Sequence, residues 1–275
     1  MIKTVNQFFG SVNSGENLLF ENASIIMSPY LINDAYTGYC WKVRRESDSA
    51  LLEVGFDVSG KVNESILTSF LGSGIGRLNT YYNQAGNNNA VAPALFREPL
   101  IWDNGFIPGL EGHPSIDFEG GAQKRLMFDS MIETITANGS LFMAVIDRID
   151  ESIIQQVLSN QSINHQFRLT TENQMDLGGT EAPFNVFNTP SPKKIIGFDI
   201  NTITEESFIF DEYVNSSPTS FSVSTLPSWK LNQLGARANT GELYRGRMHE
   251  VFFFPDRKLT NKRNIVRNRK AIYNP

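Results

Sequence analysis

From Met131 onward the chain breaks into short runs of β-branched, aromatic and aliphatic residues. The runs recur at intervals of about ten to fifteen residues and are closed by Asn, Ser, Gly or Pro. They are Glu133–Thr136, Leu141–Ile149, Ile153–Leu158, Gln166–Thr170, Lys194–Asp199, Ser207–Tyr213, Ser220–Val223 and Leu243–Phe254. Short strands gain stability only by pairing and by covering one another's apolar faces, so this rhythm predicts an all-β fold, an antiparallel β-sandwich or barrel. Ile153–Leu158 reads equally as one helical turn after Asp150.

The composition allows a large core. Apolar residues make up 40% of the 275, with 20 Phe among them, while a mean hydropathy of −0.25 and 19% charged residues describe a water-facing surface. A net charge of −5 argues against nucleic acid as the main partner, because neutralising phosphates needs a basic surface. Cys40 is the only cysteine, so no intramolecular disulfide forms, and the expected role is a small buried hydrophobe. No stretch has the length of apolar sequence that a membrane helix or a signal peptide needs, so no membrane partner is expected. The length suits a single sandwich domain over 33–275 preceded by an N-terminal arm over 1–32. That arm has no sustained period, and it reads either as an anchor to a neighbour or as an edge strand on its own domain.

Two helices stand out. Asn63 as N-cap, Glu64 in the first turn, apolar Ile66, Leu67, Phe70 and Leu71, and Gly72 as the stop predict a short helix near 63–71. At the other end, Leu259, Ile265, Val266, Ala271 and Ile272 predict a C-terminal helix whose second face carries Lys262, Arg263, Arg267, Arg269 and Lys270. The preceding strand, GRMHEVFFFP, places Met248, Glu250, Phe252 and Phe254 on one face and His249, Val251 and Phe253 on the other by simple alternation.

The most specific stretch is residues 78–90, LNTYYNQAGNNNA, a β-type run that ends in a turn of Asn, Gln, Ala and Gly. It resembles the Tyr-Asp-Gln-Ser-Gly-Asn-Gly-Asn motif of fungal arabinofuranosidase B catalytic domains and of bacteriophage structural proteins with a laminin-G or concanavalin-like sandwich. Tyr82, Gln84, Gly86, Asn87 and Asn89 match; Asn83, Ala85 and Asn88 depart from it. A second resemblance runs through YTGYCWKVRRESDSALLEVGF, where Tyr36, Thr37, Gly38, Val43, Arg44, Arg45, Ser47, Asp48, Gly55, Phe56 and Asp57 correspond. A third lies in HPSIDFEGG, residues 113–121. The resemblance implies a concanavalin A-like jelly roll, a strand at Ile153–Leu158, and a closing helix at the C-terminus.

The function expected from the phage members is structural. They imply a capsid decoration, head-fibre or tail-associated protein, assembled in the host cytoplasm into a virion, homo-oligomeric, touching other virion proteins and gripping a surface glycan. The alternatives are a glycoside hydrolase of arabinofuranosidase type and a free carbohydrate-binding module. The arabinofuranosidases of the resemblance carry a vicinal cysteine pair at the sugar site and catalytic acids in the central region. With Cys40 alone this chain lacks the pair, and Asn83 removes a carboxylate from the loop, so no enzyme activity, no catalytic residue and no cofactor are expected.

Sugar recognition uses amides and an aromatic plane, which Tyr81, Tyr82, Asn83, Gln84, Asn87, Asn88 and Trp102 supply as candidate ligand residues; the same residues would equally make a protein interface. Asp117 and Glu119, two apart, point the same way if they lie on one strand, and are the candidates for a cation, with turn stabilisation as the simpler role. Arg44 and Arg45 are candidates for gripping an anion, with a structural ion pair as the simpler role.

Overall fold

The computed structural model describes residues 18–107, 109, 112–119, 123–133, 139–148, 155–160, 166–170, 175–177, 180–181, 193–201, 206–211, 219–222, 230–236, 243–256 and 261–273. In chain order the first strands are β1 Ile25–Met27, β2 Trp41–Arg45, β3 Leu51–Val54, β4 Ile75–Tyr81, β5 Ala90–Val91, β6 Leu100–Asp103, β7 Ile116–Asp117, β8 Leu126–Glu133 and β9 Ser140–Arg148. They continue as β10 Gln155–Ser159, β11 Gln166–Leu169, β12 Met175–Leu177, β13 Thr180–Glu181, β14 Lys193–Asn201, β15 Glu206–Asp211, β16 Thr219–Ser222, β17 Lys230–Leu234 and β18 Gly246–Phe254. Two α-helices are α1 Glu64–Leu71 and α2 Lys262–Tyr273; residues 18–20 are also helical, and Leu95–Arg97 forms a 3₁₀ turn.

The all-β expectation holds. The strands join in one continuous sheet, antiparallel throughout, that folds into two layers. One layer runs β16-β15-β14-β9-β18, and the free edge of β18 is shared by β1 at one end and β7 at the other. The second runs β3-β2-β4, continues through β5 to β8, β17, β10, β11, β12 and β13, and joins the first where β6 meets β7. Gln155–Ser159 is thus a strand rather than a helical turn. The N-terminal segment supplies β1, which pairs with Val251–Phe253, so from residue 24 on it lies on its own domain as an edge strand.

The main core fills the space between the layers. Phe142, Ala144 and Ile146 of β9, with Val251 and Phe253 of β18, face Trp41, Val43, Leu78 and Tyr81 across it. The alternate residues Leu141, Met143 and Val145 face a second core with Phe252, Phe254, Phe20, Ile265 and Val266, closed by α2. Both faces of β9 and β18 are therefore buried, which is why these strands read as nearly continuous apolar runs.

A bulge corrects the expected alternation of β18. Met248 lies opposite Ile146 and Glu250 opposite Val145, so His249 is the extra residue. Met248 consequently faces the main core with Val251 and Phe253, rather than sharing a face with Glu250 and Phe252.

Both helices form where their sequence signals place them. The Asn63 side chain accepts from the Ile66 amide at 3.2 Å, Gly72 closes α1 at φ 54°, and Leu67 and Leu71 are buried. In α2 the buried face is Ile265, Val266, Arg269 and Tyr273. Arg269 therefore turns inward, off the basic face where the sequence put it, because it stands one helical turn after Ile265. Leu259 lies outside the described residues.

Candidate functional site

The amide-rich loop after β4 turns its two central side chains into the protein. Asn83 accepts from the amides of Ile26 and Ala85 at 2.8 and 3.0 Å, and donates to the Ser24 carbonyl at 2.9 Å. Gln84 accepts from the amides of Ile32 and Asn33 at 2.8 and 3.3 Å and donates to the carbonyls of Tyr30 and Ser28 at 2.7 and 3.3 Å. Both residues are buried. Asn88 pairs with both main-chain groups of Ser130, and Asn89 accepts from the Asn83 amide. The loop thus fastens residues 24–33 and β8 to the sandwich, satisfying main-chain groups that no sheet neighbour reaches.

The predicted ligand residues divide accordingly. Tyr81 is fully buried and its hydroxyl donates to the His249 carbonyl at 2.9 Å, at the bulge in β18. Trp102 is buried against Phe106, and its indole N–H donates to the Gly72 carbonyl at the end of α1. Asn83 and Gln84 are occupied as described, while Tyr82 and Asn87 remain at the surface. Tyr82 meets a residue that sequence reading passed over: its ring centroid lies 6.0 Å from that of Tyr39, which is 46% exposed. The Tyr82 hydroxyl donates to Glu53 Oε1 at 2.7 Å, and Lys42 Nζ lies 3.8 Å from the same oxygen.

The cation candidates have other partners. Asp117 ends β7, takes the Glu119 amide at 2.7 Å and lies 3.4 Å from Arg247 Nε; Glu119 follows at φ 46°, off the strand, and pairs with Arg77 and Lys124. The two therefore do not share a strand face, and Asp117 caps the turn. Among the described residues no three His, Cys, Asp or Glu side chains converge as a metal site would require. Arg44 forms a buried pair with Glu98 at 2.5 Å, whose other oxygen accepts from Asn79, and Arg45 grips Asp48 and the Phe70 carbonyl. Both arginines are structural. Cys40 is buried, with its thiol directed at the Ser28 carbonyl.

A second polar cluster was not legible as a cluster in the sequence. It lies under α2, around the bulge. Glu250 accepts from Ser28 Oγ at 2.5 Å and from Arg269 at 3.1 Å. His249 holds the Pro114 carbonyl through Nδ1 at 2.8 Å, and its Nε2 lies 3.8 Å from Asp147 Oδ2. Tyr30 bonds His113, and the rings of Tyr30, His113, His249 and Tyr273 meet edge to face. Burial, reinforced by the Glu250 charge, pushes the Tyr273 and Tyr30 hydroxyls well above the usual phenol range. Asp147 Oδ1, Glu250 Oε2 and the Tyr273 hydroxyl are buried and take no hydrogen bond from the described residues. Gly109 lies directly over the acid–histidine pair: a Cβ there would meet His249 Nε2 at 2.4 Å and Asp147 Oδ2 at 2.8 Å.

No family model and no curated protein matches the sequence. Solved structures do match the fold. A mutant GH54 α-L-arabinofuranosidase soaked with 4-nitrophenyl α-L-arabinofuranoside superposes with a TM-score of 0.69 over 91% of this chain, at 12% identity. A GH54 α-L-arabinofuranosidase soaked with a cyclic sulfate inhibitor gives 0.67 over 90%, at 12% identity. An arabinofuranosidase complexed with arabinofuranosyl-α-1,2-xylobiose gives 0.64 over 90%, at 11% identity. This chain spans 63%, 62% and 62% of those three chains. The fold is thus shared with arabinofuranosidases, as one half of the resemblance implied. The other half gives way: nothing in these neighbours points to a bacteriophage, and the expectation of a non-enzymatic virion protein is corrected by a fold shared with arabinofuranosidases.

Proposed function

We propose that this chain is a glycoside hydrolase of arabinofuranosidase type, acting on glycans that carry furanose side groups. The observation that carries the reading is the two-layer sandwich shared along 91% of the chain with a GH54 α-L-arabinofuranosidase soaked with an arabinofuranoside. Hydrolysis of a glycosidic bond needs two carboxyl groups. One protonates the leaving oxygen, and the other attacks the anomeric carbon or activates a water.

Two described carboxylates, Asp147 and Glu250, each keep one buried oxygen without a hydrogen-bond partner from the described residues, a costly state that functional sites retain more often than structural ones. The central sequence, where the resemblance puts the acids, adds Glu133, Asp150, Glu151, Glu172, Asp176, Glu181, Asp199, Glu205, Glu206, Asp211 and Glu212. Because Cys40 is the sole cysteine, the sugar is held here without a vicinal cysteine pair. The test is release of arabinose from arabinan and arabinoxylan, with each of these thirteen carboxylates changed singly to its amide. The reading expects release by the native chain and its loss in two variants that still unfold at the native temperature. Absence of release from either polymer by folded protein overturns it.

A further inference from the structure

We propose that Tyr39, Tyr82, Glu53 and Lys42 form a surface site for a neutral saccharide chain, separate from the polar cluster under α2. The site does not rest on hydrolysis by this protein. Its parts come from three places: the turn before β2, the start of the amide-rich loop, and the facing pair Lys42 and Glu53 of β2 and β3.

The backbone holds the two rings in place. The Tyr82 amide donates to the Cys40 carbonyl at 3.0 Å, tying the loop to the residue after Tyr39. The Tyr36 hydroxyl reaches back to the Tyr39 carbonyl at 2.8 Å, which is open to it only because residue 38 is glycine: a Cβ there would lie 2.5 Å from the Tyr36 oxygen. Tyr39 and Tyr82 are thus braced side by side with their rings tilted 47° and not stacked on each other.

Exposed aromatic surface is costly to leave in water, and it presents flat apolar faces next to hydrogen-bonding groups. A sugar ring has the matching surface, with axial C–H groups on one face and hydroxyls around its rim. Glu53 uses only Oε1 on Tyr82 and Lys42, so Oε2 is left to accept from a sugar hydroxyl, and the Lys42 ammonium keeps donors to spare. The carboxylate and the ammonium cancel locally while the whole chain carries −5, so the site favours an uncharged glycan over a uronate polymer.

The experiment is calorimetric titration of the full chain with xylohexaose, arabinohexaose and hexagalacturonate, repeated on Tyr39→Ala, Tyr82→Phe and Glu53→Gln. Binding of a neutral hexamer is expected, weakened at least tenfold by Tyr39→Ala and severalfold by Tyr82→Phe and Glu53→Gln, with little response to hexagalacturonate. Absence of binding to both neutral hexamers, binding that Tyr39→Ala leaves intact, or preference for hexagalacturonate overturns the proposal. None of these outcomes bears on whether the chain cleaves arabinosides.

Discussion

The Asn83 side-chain oxygen accepts the main-chain amide of Ile26 at 2.8 Å, 57 residues earlier in the chain. One amide thereby joins the loop after β4 to the strand that covers the edge of β18. Asn83→Ala would strand the Ile26 amide in a buried setting, where an unmet polar group costs about 1–3 kcal/mol. Urea unfolding should show a loss of about 1–3 kcal/mol, and amide exchange should rise first at residues 24–33. An unchanged midpoint would mean that water replaces these bonds at no cost.

Arg269 and Glu250 form an ion pair buried on both sides, with side chains 1% and 0% exposed. Removing one partner leaves an uncompensated charge, so Arg269→Met should destabilise by about 3–5 kcal/mol and release α2 to proteolysis. The double change Arg269→Met with Glu250→Met should recover most of that stability, because two apolar side chains replace the pair. Equal losses in single and double variants would show that the pair contributes through packing alone.

Gly109 lies too close to His249 and Asp147 to tolerate a side chain. Gly109→Ala should cost about 1–3 kcal/mol by overpacking and shift the His249 ring resonances. Unmoved resonances would show that the loop yields and the pair does not.

Arg45 holds the Asp48 carboxyl down to about 2, chiefly through their side-chain hydrogen bonds, with the Ala50 amide adding to the effect. The folded value lies below the ordinary 3.8, so this pair's contribution to stability is complete above 3.8 and is lost as pH falls through about 2. Carbon NMR titration of Asp48 should give a midpoint near 2 in the native chain, moving toward 3.8 in Arg45→Met. A midpoint that does not move would contradict this origin.

Much of the fold was legible because its signals are local. Strand rhythm, the Asn63 cap and Gly72 stop of α1, and the apolar stripe of α2 each act within a few residues. What failed was long-range. Simple alternation misplaced Met248 because a one-residue bulge shows no mark in the sequence. Arg269 looked like part of a basic face, although its position one turn after Ile265 was the available sign that it turns inward. The 78–90 stretch stands out in the sequence, yet nothing local shows that Asn83 and Gln84 reach residues 24–33. Tyr39 and Tyr82 are 43 residues apart by subtraction of their numbers, and the pairing of β2 with β4, extended by the bond to the Cys40 carbonyl, brings them together.

Glycoside hydrolysis by this chain is tested most directly by incubating the folded chain with 4-nitrophenyl α-L-arabinofuranoside and following the release of 4-nitrophenol. Release well above the buffer rate, abolished by a single carboxylate-to-amide change that leaves the melting temperature intact, is the predicted result. A folded chain that releases no nitrophenol over a broad pH range and leaves arabinan and arabinoxylan uncut would contradict it, and would leave the sandwich as a binding fold alone.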